Sequence, residues 1–258
     1  MSQLTPNRIA LLLGMDLGYS RRVLSGILGY AESENLAWVF HHAPPDLRII
    51  PALRRWQPDG IIAHLSELEL ANRLCALNVP LISVTDTLTD STFPTVDVDS
   101  KAVGRVAAEY FLNRGYRSFA YFGSKNASFS LNRKQGFSDR LKEAGFTPHY
   151  LHSDFLPQSP FLENWELEDR NTKQWLVKLP KPVGILASND IPARTLCDLC
   201  RRTHLRVPDD VAILGIDNDL SICRMSRPTL SSVDIPAESI GRTAAQHLQK
   251  RIQGKSIP

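Results

Sequence analysis

A chain of 258 residues, 43% of them hydrophobic, is long enough to bury a substantial core in two packing units and too large to be a small stapled scaffold. Thirty Lys and Arg against 27 acids leave a net charge of +3, too balanced to mark a nucleic-acid surface, so this chain need not touch DNA directly. No apolar stretch approaches the roughly 20 residues of a membrane span, and the start MSQLTPNR lacks the apolar core of a signal peptide; a cytoplasmic protein with no membrane partner is expected.

In chain order, Arg8 to Leu13 reads as a short apolar strand. Gly14 to Ser20 is a turn opening a helix to about Glu34, with Val23, Leu24, Ile27, Leu28 and Ala31 on its buried face. Trp38 to Phe40 is a second strand and Leu47 to Trp56 a helix. The turn Pro58-Asp59-Gly60 then leads into the strand Ile61 to Ala63. Ser66 followed by Glu69 has the spacing of a capping box for the next helix. Leu81 to Val84 and Thr95 to Val98 are further extended pieces.

The pattern then restarts. Ser100 to Arg114 is an amphipathic helix ended by Gly115, Ser118 to Phe122 an aromatic-rich strand, and Leu131 to Ala144 a helix stopped by Gly145. Pro148 to Asn164 is irregular, as in a covering loop, and Trp165 opens another helix. Val183 to Ala187 is a strand, with a helix after Pro192, the strand beginning VAILGIDND at Val211, and a last helix from Ala237 to about Gln253. Regular alternation of strand and helix implies parallel sheets with helices on both faces, and hence two doubly wound α/β lobes.

The apolar run VAILGI ends in Asp217, Asn218 and Asp219, at the carboxyl end of a buried parallel strand, where open α/β sheets bind ligands. LLLGMDLGYSRR and VGILASND have the same form, so three strands deliver polar groups to one rim. A dinucleotide fingerprint is absent: the first turn reads GMDLGYS, His41-His42 stand where an acid is needed, and there is no GK[ST]. Asp16, Arg21, Asp99, Arg133, Asn189, Asp190 and Asp217 all fall at strand ends or in the turns just after them. Carboxylates and guanidinium forks bind adjacent hydroxyls in pairs, which suits a neutral polyol such as a sugar. Tyr19, Phe129 and Trp165 offer aromatic faces for its apolar side, although core packing alone also accounts for rings of this kind.

Asp190 and Asp217 are also a carboxylate pair of the sort that performs acid/base hydrolysis. No nucleophile elbow, metal cluster or cofactor motif accompanies them, and His41, His42 and His64 form no catalytic frame, so no enzyme and no cofactor are expected. Cys75, Cys197, Cys200 and Cys223 read as reduced thiols. Cys197 and Cys200 make a CxxC before His204, but the neighbours Ala193, Leu196 and Leu199 are apolar and a second ligand pair is missing, so no metal is expected.

With GYSRRVLSGI, VDVDSKAVG, NRKQGF, ILASND, VAILGIDND and RPTLSSVDIP in this order, the chain resembles the effector-binding domain of the lac/gal repressor family. Those motifs span nearly its whole length, and the last two are the most specific. Within the family it is most similar to bacterial xylose-operon activators, in which an effector domain precedes an AraC-type helix-turn-helix. Only about seven residues precede Arg8, too few for an N-terminal headpiece, so the DNA-binding domain is expected after Pro258. The chain stops after the last helix, where the family usually has a further strand, which implies a piece of a longer protein. Ser20 stands where xylose regulators tend to carry an acid.

The resemblance implies the type I periplasmic-binding-protein fold: two doubly wound parallel-sheet α/β lobes joined by a multi-strand hinge. Residues 1–112 plus 236–258 would form the N-terminal lobe and 113–235 the C-terminal lobe. It assigns Arg133 as the clamp on effector hydroxyls and Asp217 as the strand-end acceptor, with Asn189 and Asp190 a neighbouring polar pair. Arg21 matches the arginine opening the first helix and Phe129 a stacking ring, with Asp16, Asp99 and Trp165 as further ligand contacts. A monosaccharide, xylose first, would bridge the lobes of a homodimer whose attached domains bind operator DNA. A periplasmic sugar receptor of the same fold and a sugar-processing enzyme are the alternatives. The missing export signal and the four cysteines argue against the receptor.

Overall fold

The computed structural model describes residues 6–88, 93–152 and 170–257. Trp165, the helix expected to begin there and most of the expected covering loop lie outside the described residues. Two compact units are formed, Met1–Val98 with Pro236–Pro258, and Asp99–Ile235.

The first unit contains a parallel sheet of β1 (Asn7–Leu12), β2 (Trp38–Ala43), β3 (Gly60–Ala63) and β4 (Leu81–Ser83), in the order β2-β1-β3-β4. One layer of core joins Ile9, Leu11 and Ile62 to Val23 and Ile27 of α1 (Gly18–Ser33) and to Ile240, Ala244 and Leu248 of α9 (Ala237–Ile252). The opposite layer joins Ala10, Leu12 and Ile61 to Leu53 of α2 (Ile50–Trp56) and to Leu70 and Leu74 of α3 (Leu68–Cys75). β1 is therefore apolar on both faces, which is why LLL follows Ala10 without alternation. The capping box read at Ser66 and Glu69 does not form. α3 starts at Leu68, and its cap, Glu67, makes no side-chain hydrogen bond to the helix.

The second unit has a five-stranded parallel sheet in the order β6-β5-β7-β8-β9. Its strands are β5 (Phe119–Gly123), β6 (His149–His152), β7 (Val183–Ala187), β8 (Val211–Ile216) and β9 (Ser231–Val233). α4 (Ser100–Asn113), α5 (Ser128–Glu143), α6 (Arg170–Lys178), α7 (Asp190–Arg202) and α8 (Leu220–Met225) accompany it. A boundary near Leu112 had placed α4 in the first lobe, but α4 packs on α5. A Cβ at Gly104 would overlap the Arg133 carbonyl and one at Gly136 the Lys101 carbonyl, so the two backbones touch where both residues are glycine. That close crossing ties α4 to the second unit, whose boundary falls at Asp99.

In each sheet the strand order reverses beside the first strand, between β1 and β3 and between β5 and β7. The loops leaving those strands diverge there, which opens a crevice at their carboxyl ends.

Candidate ligand-binding site

Arg133 occupies the first turns of α5, which begins shortly after β5. The buried Tyr121 hydroxyl donates to the Ser130 carbonyl at 2.7 Å, and the Ser130 hydroxyl donates back to the Ser124 carbonyl at 2.8 Å, so the start of the helix is pinned to the strand end. α5 starts at Ser128 instead of the expected Leu131, which puts Phe129 and Arg133 one turn apart on the same helix. The Arg133 guanidinium carbon lies 4.9 Å from the centre of the Phe129 ring.

Arg133 is only 4% exposed. Its Nη1 donates to the Ser188 carbonyl at 2.5 Å, its Nη2 lies 3.5 Å from Asp217 Oδ1, and its buried Nε has no hydrogen-bond partner among the described residues. A buried guanidinium with one unmet donor beside a carboxylate matches the pattern of donors and acceptors on a pair of hydroxyls. Asp217 follows β8 at φ +104°, a conformation that a side chain holds only when its surroundings impose it, and Asn218 comes next at +50°, in the left-handed region that asparagine tolerates.

Of the other predicted residues, Asn189 caps α7, its Oδ1 accepting the Ile191 amide at 3.2 Å, and Asp99 caps α4, accepting the Ala102 amide at 3.0 Å. Asp190 is turned inward: 2% exposed, with its oxygens on Ser232, Asp219 and Cys223, it presents no carboxylate to a ligand. Burial raises its pKa to about 6, against the lowering pull of those hydrogen bonds.

Asp16 and Arg21 belong to the first unit, after β1. Both are exposed, and Arg21 Nη1 donates to the carbonyls of Met15 at 2.7 Å and Asp16 at 3.0 Å. His64, just after β3, has no site role in the sequence because it is a lone histidine behind an apolar run. Tyr19 meets it edge-on at 6.0 Å and donates to the Val84 carbonyl at 2.5 Å. Burial depresses His64 to about 4 in spite of Asp16, and its Nδ1 is buried with no hydrogen-bond partner among the described residues. Cys197 and Cys200 sit in the core of the second unit, where burial raises the thiols to about 11 and about 12.

Each unit is a parallel α/β sheet with polar residues at the carboxyl ends of its strands. The chain belongs to the periplasmic binding protein-like domain family, whose model matches residues 108–258, while residues 8–101 match the XylR N-terminal domain. It is 28% identical over 257 residues to the xylose operon regulatory protein of Haemophilus influenzae, covering 97% of this chain and 65% of that relative. A solved structure of the xylose-binding transcription activator XylR shares the fold at TM-score 0.83 and 24% identity, over 98% of this chain and 65% of that one. A periplasmic binding protein/LacI transcriptional regulator from Alkaliphilus metalliredigens, complexed with D-xylulofuranose, does so at TM-score 0.77 and 20% identity, over 98% and 93% of the two chains. This chain thus spans just under two-thirds of its xylose-regulator relatives.

Proposed function

We propose that this chain is the effector-sensing part of a bacterial transcription regulator, that it binds a monosaccharide, D-xylose first, and that it passes the signal to a DNA-binding domain. The observation that carries the reading is Arg133: a nearly buried guanidinium held by the Ser188 carbonyl, facing Asp217 and stacked on Phe129, with a buried Nε that has no hydrogen-bond partner among the described residues. Such a fork with an adjacent carboxylate recognises neighbouring hydroxyls, and the ring supplies an apolar face for the sugar. Three supports point the same way: the match to the XylR N-terminal domain, the xylose regulators among the relatives and the pentose-bound neighbour in fold. Asp16 and Arg21 are the contacts proposed from the first unit, Asn189 a further one from the second. Homodimers acting on operator DNA in the cytoplasm complete the proposal.

A thermal-shift screen over monosaccharides tests it. A ligand that binds only the folded chain at 100 times its dissociation constant adds about 2.7 kcal/mol of stability, enough to move the melting temperature by several degrees. D-xylose, or another neutral monosaccharide, should give the largest shift. A shift from a purine or a phosphorylated metabolite and from no sugar would overturn the assignment.

A further inference from the structure

Asp190 is the one predicted contact whose carboxylate the fold consumes entirely. Its Oδ2 accepts the Asp219 amide at 2.7 Å, and its Oδ1 accepts the Ser232 hydroxyl at 2.6 Å. Ser232 Oγ in turn accepts the Asn218 amide at 2.9 Å, while the Asp217 amide donates to the Val233 carbonyl at 3.0 Å. Three successive amides of the turn after β8 are therefore ordered, one by β9 and two by a single carboxylate, directly and through a serine. That turn carries the two left-handed residues, Asp217 and Asn218. Successive amides in such a turn form a concavity that holds an anion, and here the anion is a side chain of the protein itself. β8 makes room for it with glycine: a Cβ at Gly215 would overlap Asp190 Oδ1.

We propose that Asp190 is a positioning residue, whose buried carboxylate fixes the left-handed turn over Asp217, Asn218 and Asp219 and so aims Asp217 at Arg133 without meeting the effector. Non-glycine residues at positive φ hold that geometry only where surrounding bonds over-determine it. Charge-assisted hydrogen bonds to an ionised carboxylate are the strongest available for the purpose. Protonation weakens the clamp, because a neutral carboxyl no longer accepts from both Ser232 and Asp219 in the same way. The titratable groups facing Asp190 are Cys223 on α8, at 3.6 Å, and the carboxylate of Asp219 in the turn, with Asp217 acting on Cys223. Burial and the neighbouring acids hold Cys223 as a thiol, at about 12.

The ligand part of the test rests on the proposed roles of Asp217 and Arg133; the amide part does not. Amide hydrogen exchange at Asn218 and Asp219 is followed by NMR in the full chain, and D-xylose affinity by titration calorimetry between pH 5 and 8. Asp190→Ala should speed exchange at both amides and weaken D-xylose by about tenfold or more, the loss expected of a charge-assisted bond. Ser232→Ala, the milder change, should release the Asn218 amide and leave that of Asp219 protected. Asp190→Asn keeps an acceptor for Asp219 but, like the protonated carboxyl, cannot accept from Ser232 as well, so at pH 8 it should bind about as weakly as the parent does below about pH 6. It should also lose the parent's fall in affinity below about pH 6, which separates Asp190 from the titration of its acidic neighbours. Unchanged exchange in both the Asp190→Ala and Ser232→Ala chains would overturn the clamp. Faster exchange with unaltered D-xylose affinity would overturn the positioning role, as would lost binding with unchanged exchange, the mark of direct contact. If the parent binds no sugar, the reading of Arg133 fails instead, and amide exchange alone decides the clamp.

Discussion

The two units end their sheets in different chemistry. At the rim of the second, Arg133 and Asp190 are charged groups taken out of water and held by designated partners: a carbonyl and a carboxylate for one, an amide, a hydroxyl and a thiol for the other. At the rim of the first, Asp16 and Arg21 stay exposed, and His64, withdrawn from water, is neutral at physiological pH. Charges fixed in advance lose little orientational freedom on binding, whereas exposed ones must be both ordered and desolvated. If the chain binds a sugar as proposed, selectivity for hydroxyl geometry should belong to the second rim.

The largest effect should come from the helix crossing under Arg133. Gly136→Val drives side-chain atoms into the Lys101 carbonyl, and overpacking of that kind costs about 3 kcal/mol or more. The variant should melt well below the parent and bind no sugar; a parent-like melting temperature would show that the α4 and α5 backbones do not touch. Asp217→Ala comes next. It leaves a nearly buried guanidinium without its carboxylate, a change worth about 3 kcal/mol in buried pairs, and sugar binding should vanish with it. Retained affinity would shift recognition away from this rim.

Acid should act on the two rims in opposite senses. Native His64 stays neutral to about pH 4, while its unfolded form takes up a proton near 6.5, so its contribution to stability is lost as pH falls through that window. Native Asp190 takes up its proton near 6 and the unfolded chain near 3.8, so its contribution grows as pH falls through that window and is lost as pH rises through about 6. In melting curves from pH 4 to 7, His64→Gln should soften the loss of stability on acidification and Asp190→Asn should steepen it. Two parallel profiles would contradict the contrast. The smallest effect is expected at Arg21, where Arg21→Ala should change stability by no more than about 0.5 kcal/mol, as exposed substitutions do, and weaken sugar only a few-fold. A loss as deep as that of Asp217→Ala would make the rims equal partners.

The alternation of strands and helices was legible because β1, β5, β7 and β8 are apolar on both faces and leave uninterrupted runs. β6 and β9 were not, because they are edge strands with polar residues, the exposed His149 and His152 in one and the exposed Ser231 and half-buried Ser232 in the other. The capping box misled because helix start depends on where the chain turns, and here the cap falls one residue later, at Glu67. At the rim, Arg133 and Asp217 could be read from their position beyond buried strands. Asn189 and Asp190 could not be told apart, since one residue of rotation at the start of α7 sends one side chain to the cap and the other into the core.

The central claim is that the guanidinium fork of Arg133 recognises the effector. Arg133→Lys keeps the charge and most of the apolar stem but removes the planar donor pair. Titration of D-xylose, or of whichever sugar gives the largest thermal shift, into both chains measures the difference. At least about a hundredfold weaker binding by the lysine variant, the loss of two good hydrogen bonds, is the predicted result. Equal affinity in a folded Arg133→Lys chain would contradict it.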